Sequence, residues 1–192
     1  MTYSLGFRTP SQQELAADWF QHLVSLCDQQ RLRDPDDLQN ANLAELTAGI
    51  HQEAAQLFMQ LPTANSPDFR RWLGCYLTDP KPQFHIEPAE HAWSTADLAD
   101  WLATPGRALG RHPFARLAWA RLSEDEVVMY YQGESLTQPQ HLLEAIRLIA
   151  EHRRIDNSTI AELLSSTPAA GALLLRLINE GVLEPVENVS CT

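Results

Sequence analysis

ARLAWARL (Ala115–Leu122) and EVVMYYQG (Glu126–Gly133), joined by the polar triplet Ser123-Glu124-Asp125, form the stretch on which the fold turns. Two runs rich in apolar, β-branched and aromatic residues, separated by a short polar turn, predict a β-hairpin. Three helices are expected behind it, at about His141–His152, Ser158–Leu164 and Pro168–Glu180. Thr167 offers an N-cap for the last of them and Gly181 a C-terminal stop. A short strand, VLEPV (Val182–Val186), closes the series. Hairpin, helices and closing strand are the parts of a winged-helix module.

Moving back from the hairpin, Ser94 caps a short helix that carries Leu98, Trp101 and Leu102. Before it, three prolines fall between Pro80 and Pro88, and residues 81–90 read as a linker. The linker separates a helical region, 9–80, from the winged-helix-like domain, 91–192. In the helical region Ser11 and Glu14 have capping-box spacing behind Pro10. The helix they open carries two adjacent apolar stripes, Leu15, Trp19, Leu23 and Leu26 beside Ala16, Phe20, Val24 and Cys27. So wide an apolar face needs cover from more than one side.

Arg31–Asn40 is polar and reads as a loop. A second helix is expected from about Asn42 to Leu61, with Leu43, Leu46, Ile50, Ala54, Leu57 and Leu61 forming a coiled-coil-like seam. Ser66-Pro67 starts a third, bearing Phe69, Trp72, Leu73, Tyr76 and Leu77, and Asp79-Pro80 ends it. The seam and the first helix's stripe give the candidate dimerisation residues Leu15, Trp19, Leu23, Leu46, Ile50 and Leu57. An ordinary intramolecular core is the competing explanation for each. The chain is thus expected to be mainly α with a small β component.

Composition narrows the function. A chain of 192 residues, 44% apolar, buries a real core. Its net charge of −11 repels phosphate, so nucleic acid is an unfavourable partner. Cys27, Cys75 and Cys191 form no CxxC pair and read as free thiols of a cytoplasmic protein. No signal peptide or membrane span is visible.

The first eight residues, MTYSLGFR, alternate as a strand does, yet no partner strand lies nearby. An isolated strand leaves its backbone groups unsatisfied, which points to a sheet in other sequence. TYSLGFRTP, then a capped amphipathic helix, RDPD, FRRWLGCYLTDPKP and a winged-helix-like end, in that order, resemble the bacterial ribosomal oxygenases. The resemblance runs from Tyr3 to about Val186. That family consists of cupin-fold, JmjC-like hydroxylases dependent on Fe(II) and 2-oxoglutarate.

The resemblance implies that residues 1–8 are the last strand of the catalytic barrel, that the following helices dimerise, and that a winged helix finishes the chain. The family's HxD…H iron site and the residue that holds 2-oxoglutarate lie before the YSLGFR tract. The chain itself is therefore expected to carry no catalytic, metal or cofactor residue and no cofactor, as a truncated product or a frame starting at an internal Met would. The presumed full-length parent is the enzyme, with Fe(II), 2-oxoglutarate and a large-subunit ribosomal protein, hydroxylated on arginine, as its cofactors and substrate. Tyr3, Ser4 and Arg8 receive no catalytic role.

Three local patterns compete with this reading. His85-Ile86-Glu87 with His141 mimics a facial triad, but the pair falls in the linker and His141 opens a helix, so these are expected to be surface residues. The helix Pro168–Glu180 would be the groove-reading element of a stand-alone transcriptional regulator. It offers only Arg176 and Asn179 for that task, and Pro139–Thr192 holds four basic residues against seven acidic ones. The pairs Arg70-Arg71 and Arg153-Arg154 read as solvated helix ends.

Overall fold

The structure, a computed structural model, describes residues 10–28, 31, 46–80 and 84–187. The expected strand at 1–8 and most of the loop at 31–40 lie outside the described residues. The chain divides into two compact units, Met1–Trp72 and Leu73–Thr192.

The first unit holds α1 (Gln12–Leu26), α2 (Ala48–Met59) and the start of α3 (Pro67–Thr78). The capping box forms as the spacing predicts: Glu14 N–H donates to Ser11 Oγ at 3.1 Å, and Ser11 N–H donates to Glu14 Oε2 at 2.8 Å. α2 is shorter than expected. Thr47 caps it, its Oγ1 accepting from Ile50 N–H at 3.4 Å, so Leu46 stands before the helix. A threonine hydroxyl beside free N–H groups sets a helix start more firmly than continuing hydrophobic spacing does. At the other end Gln60 is the C-cap, which leaves Leu61 off the seam. Ser66 Oγ accepts from Phe69 N–H at 3.1 Å, placing Pro67 in the first turn of α3.

The second unit contains the rest of α3, then α4 (Thr95–Ala103), β1 (Arg107–Arg111), β2 (Leu117–Arg121), β3 (Glu126–Tyr131) and β4 (Glu134–Pro139). After these come a 3-10 turn (Gln140–Leu142), α5 (Leu143–Glu151), β5 (Arg154–Asp156), α6 (Asn157–Ser166), α7 (Ala170–Asn179) and β6 (Leu183–Glu187). The expected hairpin is β2 and β3, paired from Leu117↔Tyr131 to Arg121↔Val127. It extends into a meander, because β4 pairs with β3 through a turn in which Gln132 and Gly133 have φ of 51° and 78°. Such left-handed pairs make tight hairpin turns. A second sheet, in the order β5-β1-β6, is antiparallel throughout and sets Leu109 opposite both Ile155 and Pro185.

One continuous core joins these layers: Leu109 from β1, Val127, Met129 and Tyr131 from β3, Ile146 and Ile149 from α5, Ile160 from α6, and Leu174, Leu177 and Ile178 from α7. Each such side chain contributes about 1.5–3 kcal/mol on leaving water. β3 is buried on its other face too, at Val128 and Tyr130. There the Tyr130 ring lies against the backbone of Gly74 in α3, so closely that any Cβ at position 74 would clash with the ring.

One local expectation is corrected. Thr167 does not cap α7: it ends α6, its N–H donating to Leu163 O at 2.7 Å, and Ala169 stands at the N-cap without a side-chain bond. The described part of the proline-rich tract, Phe84–Glu90, makes contacts with the end of α7 and the residues after it. Ile86 is buried, Ala89 N–H donates to Asn179 O at 2.9 Å, and Gly181, at φ +74°, packs onto the Glu87 carbonyl.

Candidate interaction surfaces

In the first unit the two stripes of α1 separate. Trp19 and Leu23 turn inward, and Leu15 is half-buried. Trp19 meets Phe69 edge-on at 4.9 Å, Trp72 at 4.9 Å and His22 at 5.4 Å, which makes an aromatic cluster of α1 with α3. The second stripe faces out: Phe20 is 65% and Val24 70% exposed, with Cys27 also exposed. On α2 no residue is buried; Ile50 and Leu57 are half-buried, while Phe58 and Met59 are 74% and 82% exposed. Leu46, before the cap, is 71% exposed. Thus Trp19 and Leu23 pack within their own chain, Ile50 and Leu57 share one helix, and Leu46 joins neither group. A twelve-residue helix that buries nothing has little stability of its own.

In the second unit the question is whether α7 can read a groove. Both of its polar candidates are engaged within the chain, Arg176 at the surface and Asn179 half-buried. Arg176 Nε donates to Glu180 Oε1 at 2.8 Å, its Nη2 lies 3.3 Å from Glu134 Oε2, and its guanidinium stands 5.7 Å from the Tyr131 ring centroid. The Glu180 hydrogen bond, above all, raises the Arg176 pKa further. Asn179 spans Trp93: its Oδ1 accepts from Trp93 N–H at 2.6 Å and its Nδ2 donates to Trp93 O at 3.1 Å. Ala170, Leu173, Leu174, Leu177 and Ile178 of the same helix are buried.

The triad-like set is not assembled. His85 and Glu87 are exposed in the extended tract, His141 is exposed in the 3-10 turn, and no group of three or more His, Cys, Asp or Glu among the described residues could hold a metal ion. The described residues therefore do not fit an iron site. Arg154 lies 3.9 Å from Asp156, and Arg70, Arg71 and Arg153 are exposed. No described helix is long and apolar enough to cross a membrane.

Sequence reasoning missed a second polar anchor, Asn157. It opens α6, and its Nδ2 donates to the carbonyls of Leu102 (3.3 Å) and Thr104 (2.7 Å) at the end of α4. The signal was present, since asparagine is a poor interior helix residue and a good terminal one.

The winged-helix order is matched by a known family: residues 56–184 fit the ROXA-like winged helix. The chain belongs to the ROXA-like winged-helix family. The ribosomal protein uL16 3-hydroxylase of Escherichia coli K12 is 27% identical to this ROXA-like chain over 188 residues, or 94% of it and 46% of that enzyme. Ribosomal oxygenase YcfD of Escherichia coli shares the fold, with a TM-score of 0.67 at 21% identity over 93% of this chain and 47% of that one. The same protein in complex with cobalt and 2-oxoglutarate gives a TM-score of 0.65 at 21% identity, over 93% and 47%. This ROXA-like chain thus spans about half the length of the relatives it matches, and corresponds to their C-terminal part.

Proposed function

We propose that this chain is the non-catalytic association portion of a ribosomal-protein hydroxylase, pairing with a second copy through its helical region and carrying a winged helix that contacts protein rather than DNA. The observation that carries the reading is the outward apolar stripe Phe20/Val24 on α1 in a chain of this family. Large exposed aromatic and branched side chains at i, i+4 spacing mark a contact surface. Trp19 and Leu23 anchor α1 beneath that surface, and Leu15, Leu46, Ile50 and Leu57 are proposed to add to the pairing contact.

The parent activity is hydroxylation of a large-subunit ribosomal protein, on arginine, in the cytoplasm. Its Fe(II) and 2-oxoglutarate, which supply the oxidising chemistry, are held by residues other than those described. The described chain contributes association and shape. A stand-alone regulator is the weaker reading, because Arg176 and Asn179 are both committed to internal bonds.

A chimera tests this reading: the matching part of the uL16 3-hydroxylase is replaced by this chain. The chimera is expected to be dimeric and to hydroxylate its ribosomal protein. A folded chimera that is monomeric and inactive, beside an active and dimeric parent, would overturn the proposal.

A further inference from the structure

A cavity of about 450 Å³ runs beside α4, lined in part by Trp93, Asp97, Asp100, Trp101 and Arg107. The Trp93 and Trp101 rings stand 6.1 Å apart at 60° to one another. Trp101 is 3% exposed in the core, and Asn179 holds the Trp93 backbone in place from both its N–H and its carbonyl. Asp97, Asp100, Trp101 and Thr104 succeed one another along one side of the helix, at the spacings that place residues together.

The charges here are unequal in their commitments. Asp97 Oδ2 accepts from Ser94 N–H at 2.8 Å and from Ser94 Oγ at 2.6 Å, which keeps that carboxylate ionised. The Asp100 carboxylate has no hydrogen bond or ion pair among the described residues, although it lines the cavity. Arg107 follows the end of α4 and pairs with neither carboxylate. Both carboxylates stand on α4, whereas Arg107 opens β1 beyond the end of that helix.

An unpaired carboxylate beside the half-buried Trp93 indole has the chemistry of a site for an organic cation. The ring quadrupole and the carboxylate both attract positive charge, and the indoles cover the cation's apolar stem. His91 and Arg107 also line the cavity, but two carboxylates stand against one arginine, which disfavours an anion, and an apolar ligand would bury those charges without compensation. The Trp101 indole N–H is a further signal, being buried without an acceptor among the described residues, a donor that a ligand's peptide carbonyl would suit.

We infer that this cleft binds a cationic side chain of a polypeptide partner, with Asp100 as the charge partner and Trp93 as the stacking face. A planar guanidinium suits both features best. The net charge of −11 favours approach of a basic partner at long range. This site is separate from the pairing surface on α1, so either can fail without the other.

The test uses the full chain, labelled with nitrogen-15, and acetyl-Gly-Arg-Gly-amide as probe. The five tryptophans give separable indole signals, assigned by Trp93→Phe and Trp101→Phe. Saturable shifts at Trp93 and Trp101 are expected, with binding weakened at least about threefold both by Asp100→Asn and by citrulline in place of arginine. Asp100 is exposed and its carboxylate bonds to nothing among the described residues, so the variant's remaining spectrum should match the parent's. No shift, equal response to the citrulline peptide, or unchanged affinity in a folded Asp100→Asn would each overturn the proposal.

Discussion

Asn179 and Trp93, 86 residues apart, exchange a complete amide pair: the asparagine side chain accepts from the tryptophan's N–H and donates to its carbonyl. The bond ties the end of α7 to the segment that enters α4, and it uses the very residue that a DNA-reading helix would need to expose. Removing it leaves two backbone groups without partners in a half-buried setting. Asn179→Ala should cost about 2–4 kcal/mol by urea unfolding, at roughly 1–2 for each orphaned group. Asn179→Asp can still accept but cannot donate, and should recover part of that loss. Equal stability of Asn179→Ala and the parent chain would contradict the assignment.

Gly74 gives a second prediction. Because the Tyr130 ring occupies the place of a Cβ, Gly74→Ala must push the ring or α3 aside. Overpacking of this kind costs about 1–3 kcal/mol. Combining it with Tyr130→Leu should restore part of the loss, as read from the coupling in a double-mutant cycle. Strict additivity would show that the two residues do not meet.

How much of this was legible in the sequence depends on the range over which each signal acts. Capping boxes at Ser11/Glu14 and Ser94/Asp97 are local, and the second needed only the aspartate three residues on from the expected Ser94 cap. The β2–β3 hairpin was legible for the same reason. β1, β4 and β5 were not. RALGR carries arginines and a glycine, ESLTQP is polar, and β5 has three residues, so their strand character comes from pairing with β6, β3 and β1 and not from alternation.

The outward and inward stripes of α1 were both visible, but spacing alone could not say which would be covered. The aromatic cluster of Trp19 with Phe69 and Trp72, residues fifty and fifty-three positions further on, decided that. The roles of Arg176 and Asn179 were likewise hidden, since their partners Glu134 and Trp93 are 42 and 86 residues away.

Asp97 provides a pH-dependent test. The Ser94 hydroxyl, then the Ser94 backbone N–H, hold its carboxyl below the usual carboxylate range. A folded pKa lower than the unfolded one stabilises the fold above the unfolded value, and the gain is lost as pH falls through the folded value. Carbon-detected titration should therefore place the Asp97 midpoint below that of an ordinary aspartate, and Ser94→Ala should move it upward. An unmoved midpoint would show that the capping box does not form in solution.

The winged helix should behave as a protein with no phosphate contacts. Binding to mixed-sequence duplex DNA is expected to be undetectable at physiological salt, and Arg176→Ala should leave that unchanged, because its guanidinium already answers Glu180 and Glu134. A salt-dependent mobility shift lost in Arg176→Ala would favour the regulator reading instead.

Pairing through α1 is the claim on which the functional account rests, and its most direct measurement is the mass in solution. Light scattering on the full chain should give twice the 21.6 kDa of one copy, and the double variant Phe20→Asp/Val24→Asp should give a single copy with its circular dichroism unchanged. A parent chain already of single-copy mass, or a double variant that stays paired, would contradict the account.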